Sequence, residues 1–186
     1  MSFRKFSKEI WNFVWHNNSL LSWIVNILLA FVIVKFLLYP GIGLLMGTDY
    51  PVVAVMSGSM EHDRGTFDSW WFKHGEEYSK FNITKEQFKE YKFVNGFSKG
   101  DLIVAYSPKN INIGDVIIFT GDLNYPLIHR IILFNGTYNT KGDNNIGSRS
   151  DEININKNRV LGKAIFRVPY VGWLKILFMR AFGYNI

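Results

Sequence analysis

The stretches "DVIIFTG" at residues 115–121 and "LIHRIILF" at residues 127–134 decide the fold, because both are short runs of β-branched and aromatic residues. Such residues favour strands, and the Gly, Asp and Pro residues between the two runs favour a turn. Four more runs of this kind follow the same pattern, at residues 51–56, 101–107, 137–143 and 159–168. The sequence therefore predicts a mainly β domain of antiparallel strands.

The segment between the strand runs 51–56 and 101–107 has a different composition, which predicts a small helical insertion at about residues 66–99. Within it, "TKEQFKEYKF" begins with Thr84 and Gln87 at the spacing of a capping box, in which side chain and backbone cap each other at a helix start. We expect a helix to begin at this point.

An apolar stretch at residues 20–47 carries Lys35 as its single charge. It exceeds the roughly 20 residues that a helix needs to cross a bilayer, so it predicts a transmembrane anchor rather than a shorter cleaved signal peptide. Pro40 and Gly41 are expected to break or kink this helix near its outer end. Basic residues outnumber the acidic one before the stretch, which predicts a cytoplasmic N-terminus at the cell membrane and an extracytoplasmic domain after the anchor.

The predicted organisation has four parts: a cytoplasmic segment 1–19, the anchor 20–47, the β domain 48–167 with its insertion, and a membrane-associated segment 168–186. The last part is apolar and aromatic but contains Lys175 and Arg180. These charges favour a helix that lies on the lipid surface over a second span, although the sequence leaves both open.

The composition excludes several kinds of chemistry. The 186 residues contain no cysteine, which removes disulfides, thiolate catalysis and cysteine zinc sites. The net charge is +6 without a dense basic and aromatic run, so the expected acidic partner is a lipid bilayer and not a nucleic acid. Asn82 and Asn135 match the N-glycosylation pattern, and the sequence leaves open whether either is modified.

A candidate nucleophile follows the first strand run, where "PVVAVMSGSM" at residues 51–60 ends in Ser57-Gly58-Ser59-Met60. A serine hydroxyl becomes a nucleophile only beside a base that a third group orients. His129 lies in the strand run "LIHRIIL", and "TKGDNNIGSRSDE" at residues 140–152 supplies Asp143 and Asp151. Taken alone, His129 fits an ordinary strand residue and the serines fit a plain turn.

The ordered boxes "SGSM", "GDVIIF", "IHRI", "TKGDNN" and "VLGKA" resemble those of the type I signal peptidases over most of residues 51–172. A histidine at the base position is similar to the archaeal and endoplasmic-reticulum catalytic subunits. The resemblance implies a β-rich catalytic domain at the membrane and a serine endopeptidase that removes signal peptides from secreted precursors after small residues. It also implies that no metal or organic cofactor takes part.

Carried over by position, the resemblance makes Ser59 the nucleophile and His129 the general base. It assigns the oxyanion hole to the Ser57 hydroxyl together with the Ser59 backbone N–H. The acid is either Asp151, the first acid after the "GDNN" box, or Asp143 within the box. We favour Asp151 and expect Asp143 to hold the turn. A Ser-Lys mechanism through Lys141 is a less favoured alternative.

The run "PVVAVM" offers an extended edge to which a signal peptide could add as a strand. Val55 and Met60 are candidates for the walls of shallow pockets that admit small side chains, with core packing as the alternative. The competing function is a non-catalytic, membrane-tethered β domain that binds extended peptides. Accessory subunits are left open.

Overall fold

The structure is a computed structural model that describes residues 3–62, 65–107, 110–122 and 125–184. Its contacts divide the chain into two compact units, Met1–Leu45 and Met46–Ile186.

The first unit is helical. Its elements continue to the boundary with the second unit and are α1 (Phe3–Trp15), α2 (Leu20–Ile33), a π-helical turn (Val34–Leu38) and α3 (Tyr39–Met46). The helical run Leu20–Met46 has 27 residues and is long and apolar enough to cross a membrane. Of the two outcomes predicted at Pro40 and Gly41, a break or a kink, the break is wrong, because the helix continues to Met46. Proline has no N–H to donate to the preceding turn, and a widened π turn, Val34–Leu38, ends two residues before Pro40.

The second unit is built on one antiparallel sheet of six strands, which confirms the mainly β prediction. The strands are β1 (Val52–Ala54), β2 (Leu102–Tyr106), β3 (Val116–Thr120), β4 (Pro126–Phe134), β5 (Tyr138–Lys141) and β6 (Val160–Val168). Their order across the sheet is β1-β2-β6-β3-β4-β5, so β1 and β5 are the edges. Two short 3₁₀ helices, Ser150–Glu152 and Lys157–Arg159, lie between β5 and β6.

The register of the central strands positions the polar residues of the site. In β3 and β4, Ile117 pairs with His129, while Arg130 pairs with Lys141 of β5. Successive side chains of a strand point to opposite faces, so His129 and Arg130 serve two different faces of the sheet. Both are buried, although they are polar.

The insertion contains α4 (Phe67–Ser79) and α5 (Lys85–Lys89). Thr84 and Gln87 form the predicted capping box at the start of α5. Aromatic side chains of the two helices pack with Ile132 of β4 into one cluster, which includes Trp70, Tyr78 and Phe88. The insertion therefore rests on the strand that carries His129.

The chain of the second unit closes with α6 (Trp173–Ala181), in which Ile176 is the fully buried residue. The Trp173 indole packs so closely on Gly100 that a Cβ there would lie 2.0 Å from Trp173 Nε1. This contact fixes α6 against the loop before β2.

Replacing Phe88 by Ala should lower the free energy of unfolding by about 3–5 kcal/mol, because it empties a fully buried aromatic site. Phe72 of α4 is 90% exposed, and Phe72→Ala should change stability by less than about 0.5 kcal/mol. Urea unfolding of the two variants measures the difference. Equal losses would contradict the packing of the insertion on β4.

Candidate active site

Ser59 and His129 meet although 70 positions separate them in the sequence: His129 Nε2 lies 2.8 Å from Ser59 Oγ. Ser59 sits in the loop that leaves β1, and His129 projects from β4. His129 is 4% exposed, whereas Ser59 is partly open to solvent. The two residues that the sequence singled out as nucleophile and base are therefore within hydrogen-bonding distance.

The other ring nitrogen of His129 contacts Glu152. His129 Nδ1 hydrogen-bonds to Glu152 Oε1, and the Arg149 backbone N–H donates to Glu152 Oε2 at 2.8 Å. The carboxylate has no exposed surface. Glu152 thus holds one tautomer of the imidazole, with Nδ1 as the donor and Nε2 free to accept from the serine.

Asp151, the acid that the sequence favoured, has other partners in the structure. The Asp151 carboxylate forms an ion pair with Arg149, at 3.1 Å from Nε to Oδ1, and accepts from the Asp122 backbone N–H at 3.5 Å. Adjacent residues of a 3₁₀ turn point about 120° apart, so only one of two neighbouring acids can face the histidine. Sequence reasoning missed Glu152. The one available signal was its place three residues after Arg149, the spacing of a helix cap.

Asp143 lies in a separate buried cluster. Arg130 donates to it from Nε at 2.9 Å and from Nη2 at 2.7 Å, Tyr78 donates at 2.7 Å, and His62 Nε2 lies 3.0 Å from Oδ2. Burial alone would raise the pKa of the Asp143 carboxyl, but the Arg130 guanidinium and the hydrogen bond with His62 outweigh it and hold that pKa well below its usual range. Asp143 is therefore charged at neutral pH.

The turn that carries Asp143 also supports the loop that carries Ser59. The Asn144 backbone N–H donates to Ser59 O at 2.8 Å, and its side-chain amide donates to Gly58 O at 3.2 Å. A Cβ on Gly142 would lie 2.8 Å from Ser59 O, so the close approach of the two loops requires glycine there. The sequence indicated this turn only through its "GDNN" box.

A cleft of about 450 Å³ opens onto the serine. Its lining consists of Ser57, Gly58, Ser59, Leu127, His129, Asn144, Asn145 and Arg149. The Ser57 hydroxyl lies 3.2 Å from Ser59 Oγ and is exposed. Val55 and Met60 are instead 2% and 0% exposed and pack in the core with Phe97, so the core-packing alternative describes their position.

Within residues 3–62, 65–107, 110–122 and 125–184, no group of three or more His, Asp or Glu side chains is arranged to hold a metal ion. What the site offers is a hydroxyl, an imidazole and a carboxylate joined in a line of hydrogen bonds. Serine hydrolases that use a histidine base have such a line of side chains at the edge of a cleft.

Comparison with known proteins finds relatives that share one name. A protein of Colletotrichum graminicola named signal peptidase complex catalytic subunit SEC11 is 23% identical over 76% of this chain and 72% of its own length. Proteins of the same name from Yarrowia lipolytica and Plasmodium falciparum are 23% and 27% identical over 77% and 70% of this chain, and over 72% and 59% of their own lengths. No protein-family model matches the chain. These relatives confirm the resemblance to the type I signal peptidases.

Replacing Asp143 by Asn should lower the free energy of unfolding at pH 7 by about 3–5 kcal/mol, because it leaves the Arg130 charge buried without its partner. The folded pKa of Asp143 is depressed, so its stabilisation is present above the unfolded pKa of about 3.9 and is lost as the pH falls below it. The gap between wild type and variant should therefore narrow from pH 5 to pH 3. Thermal midpoints measure it.

Asp68→Asn is the matched control, since Asp68 forms an exposed ion pair with Lys85. Its midpoint should follow the wild type at every pH. An Asp143→Asn chain as stable as the wild type at pH 7 would contradict the structural role of the buried pair.

Proposed function

We propose that this protein is a membrane-bound serine endopeptidase that cleaves N-terminal signal peptides from secreted precursors after small residues. One observation carries the proposal: Ser59 Oγ lies 2.8 Å from His129 Nε2 in a chain that is similar, over three quarters of its length, to curated signal peptidase catalytic subunits. The contact between the two side chains supports the reaction type, and the names of the relatives support the substrate class.

In this proposal His129 acts as base and then as acid. Its Nε2 accepts the proton of Ser59 Oγ while Oγ bonds to the scissile carbonyl carbon. The protonated imidazole then gives that proton to the leaving amine, the C–N bond breaks and an ester remains on Ser59. A water molecule, deprotonated in turn by His129, hydrolyses the ester and restores the serine.

Glu152 replaces the predicted aspartate as the third member. Its carboxylate accepts the hydrogen bond from His129 Nδ1, which fixes the ring and stabilises the imidazolium that forms in each step. The Ser57 hydroxyl, close to Ser59 Oγ at the cleft, is placed to donate to the developing oxyanion together with the Ser59 backbone N–H. Asp143 and Lys141 contact neither Ser59 nor His129 in any described hydrogen bond, which disfavours the Ser-Lys alternative.

The substrate is proposed to bind as an extended strand beside β1. This strand (Val52–Ala54) forms one edge of the sheet, and the chain leads from it directly into Ser57–Ser59. An edge strand offers backbone groups to a peptide, which suits a substrate whose side chains are small and varied. Because Val55 and Met60 are buried, we assign contact with the small side chains to the residues that line the cleft.

Membrane attachment completes the proposal. The apolar helix Leu20–Met46 is assigned as the anchor, with residues 1–19 in the cytoplasm and the β domain outside. On α6, Ile176 faces the domain, while Leu174, Leu177 and Phe178 are between 59% and 79% exposed, which supports a helix that rests on lipid. The relatives are named as subunits of a complex, so we propose that accessory subunits assist this chain.

The alternative of a non-catalytic peptide-binding domain is not favoured. Such a domain would need no contact between a serine, a histidine and a carboxylate. Here the three side chains come from the loop after β1, from β4 and from the 3₁₀ helix Ser150–Glu152, and they form one hydrogen-bonded line.

Ser59→Ala should abolish cleavage of a signal-bearing precursor, because it removes the acyl route. Ser57→Ala should retain a measurable rate about 100- to 1000-fold below wild type, as the loss of one oxyanion donor predicts. Both variants keep the cleft and should fold. Gel analysis of a precursor incubated with each full-length variant measures the rates. A wild-type rate in Ser59→Ala would contradict the assignment of the nucleophile.

Glu152→Gln should lower kcat by about 10⁴-fold, because an amide favours the wrong imidazole tautomer. The neighbouring Asp151→Asn is the matched control and should cost less than about tenfold, since its carboxylate pairs with Arg149 outside the hydrogen-bonded line. Turnover and thermal midpoint are measured for both. A stably folded but inactive Asp151→Asn beside an active Glu152→Gln would restore the sequence-based assignment.

A further inference from the structure

Lys141 is a buried cation for which the proposed mechanism has no use. It ends β5 opposite Arg130, and its side chain has no exposed surface. Its ammonium donates to Gly142 O at 2.9 Å and to Asp143 O at 3.3 Å, and it lies 4.6 Å above the centre of the Tyr78 ring. The ammonium of Lys141 therefore contacts two carbonyls of one turn and one aromatic face.

The same turn holds the nucleophile in place. Directly after the two carbonyls that Lys141 binds, Asn144 donates its backbone N–H to Ser59 O and its side-chain amide to Gly58 O, at 2.8 and 3.2 Å. A shift of the turn would move both bonds and with them the backbone that aims Ser59 Oγ at His129. Displacements of about 1 Å at a reacting group can cost about 100-fold in rate.

We propose that Lys141 is a positioning residue for hydrolysis: its buried ammonium holds the turn 142–145 against the Ser59 loop. The proposal rests on the function proposed above. It assigns no proton transfer to Lys141, which acts on Ser59 only through the turn.

The charge on Lys141 is what makes this device work. Hydrogen bonds from an ammonium are roughly twice as strong as those from a neutral donor, and a neutral amine loses the attraction to the Tyr78 ring. Burial lowers the pKa of Lys141 to about 8, against the opposing pull of Asp143, Glu77 and Glu152. Arg130 of β4 adds to the lowering. The ammonium is thus present at neutral pH and lost in mildly alkaline solution.

This loss has opposite effects on activity and on stability. A histidine base alone gives a rate that rises with pH and then stays level, so a fall above about pH 8 has to come from another group. The pKa of Lys141 is lower in the folded than in the unfolded chain. The unfolded chain therefore binds more protons between about pH 8 and 10.5, and this group makes the fold more stable as the pH rises.

The test compares Lys141→Met, which keeps most of the side-chain volume without the charge, with wild type. Kinetics of the full-length chain in detergent on a signal-bearing precursor are measured from pH 6 to pH 10. At pH 7 we expect kcat to fall by about 10- to 100-fold with KM within about twofold. The fall of kcat above pH 8 seen in wild type should be absent, and the thermal midpoint should not drop.

Lys163→Met is the matched control. Lys163 of β6 is 16% exposed and pairs with Asp115 at 2.6 Å, so the variant also removes a mostly buried lysine from the sheet. It should keep the wild-type kcat and the alkaline fall. A Lys141→Met chain with the kcat and pH profile of wild type would overturn the proposal.

If Lys141→Met does not fold, the pH dependence of kcat in the wild-type chain tests the proposal by itself. A kcat that stays level to pH 10, while tryptophan fluorescence shows a folded chain, would also overturn the proposal. A wild-type chain that cleaves no precursor even together with its accessory subunits would instead reject the proposed function. The pH dependence of Ser59 modification by a fluorophosphonate then tests Lys141 independently, with a fall above pH 8 expected.

Discussion

The buried ion pair of Arg130 and Asp143 is the constraint on which the rest of the second unit depends. The Arg130 guanidinium also donates to the carbonyls of Lys92, Phe93 and Gly114, each at 2.9 Å. One side chain of β4 therefore joins the end of the helical insertion, the turn before β3 and the turn after β5. Because a buried charge without a partner is costly, these three segments cannot separate without a large loss of stability.

The ion pair is linked to Ser59 and to His129 through the sequence neighbours of its two members. Arg130 follows His129 in β4, so the bonds that fix the guanidinium on one face of the sheet fix the backbone that carries the imidazole on the other. Asp143 precedes Asn144, whose two donors hold the carbonyls of Gly58 and Ser59. His129 is thus adjacent in sequence to one member of the ion pair, and Ser59 is hydrogen-bonded to the sequence neighbour of the other member.

The sequence predicted those parts of the molecule that local chemistry determines. The β-branched runs became strands, Thr84 and Gln87 became a helix cap, and the ordered boxes singled out Ser59 and His129, which the structure brings together. The sequence did not predict which acid faces His129. Asp151 and Glu152 are adjacent in one 3₁₀ turn, and only the direction in which each side chain points distinguishes them. The sequence also could not show whether Val55 lines a substrate pocket or packs in the core, since an apolar side chain suits both positions.

The charges of the neighbouring groups explain why Glu152 is the better partner for His129. Two other carboxylates lie nearby, at Asp143 and Asp151, and each is paired with an arginine guanidinium. A carboxylate that is paired with a cation attracts an imidazolium less, because the positive charge of its partner opposes that attraction. Glu152 has the imidazole on one oxygen and a neutral backbone N–H on the other. In the proposed mechanism, this carboxylate is therefore the group that stabilises the imidazolium, and burial strengthens that interaction.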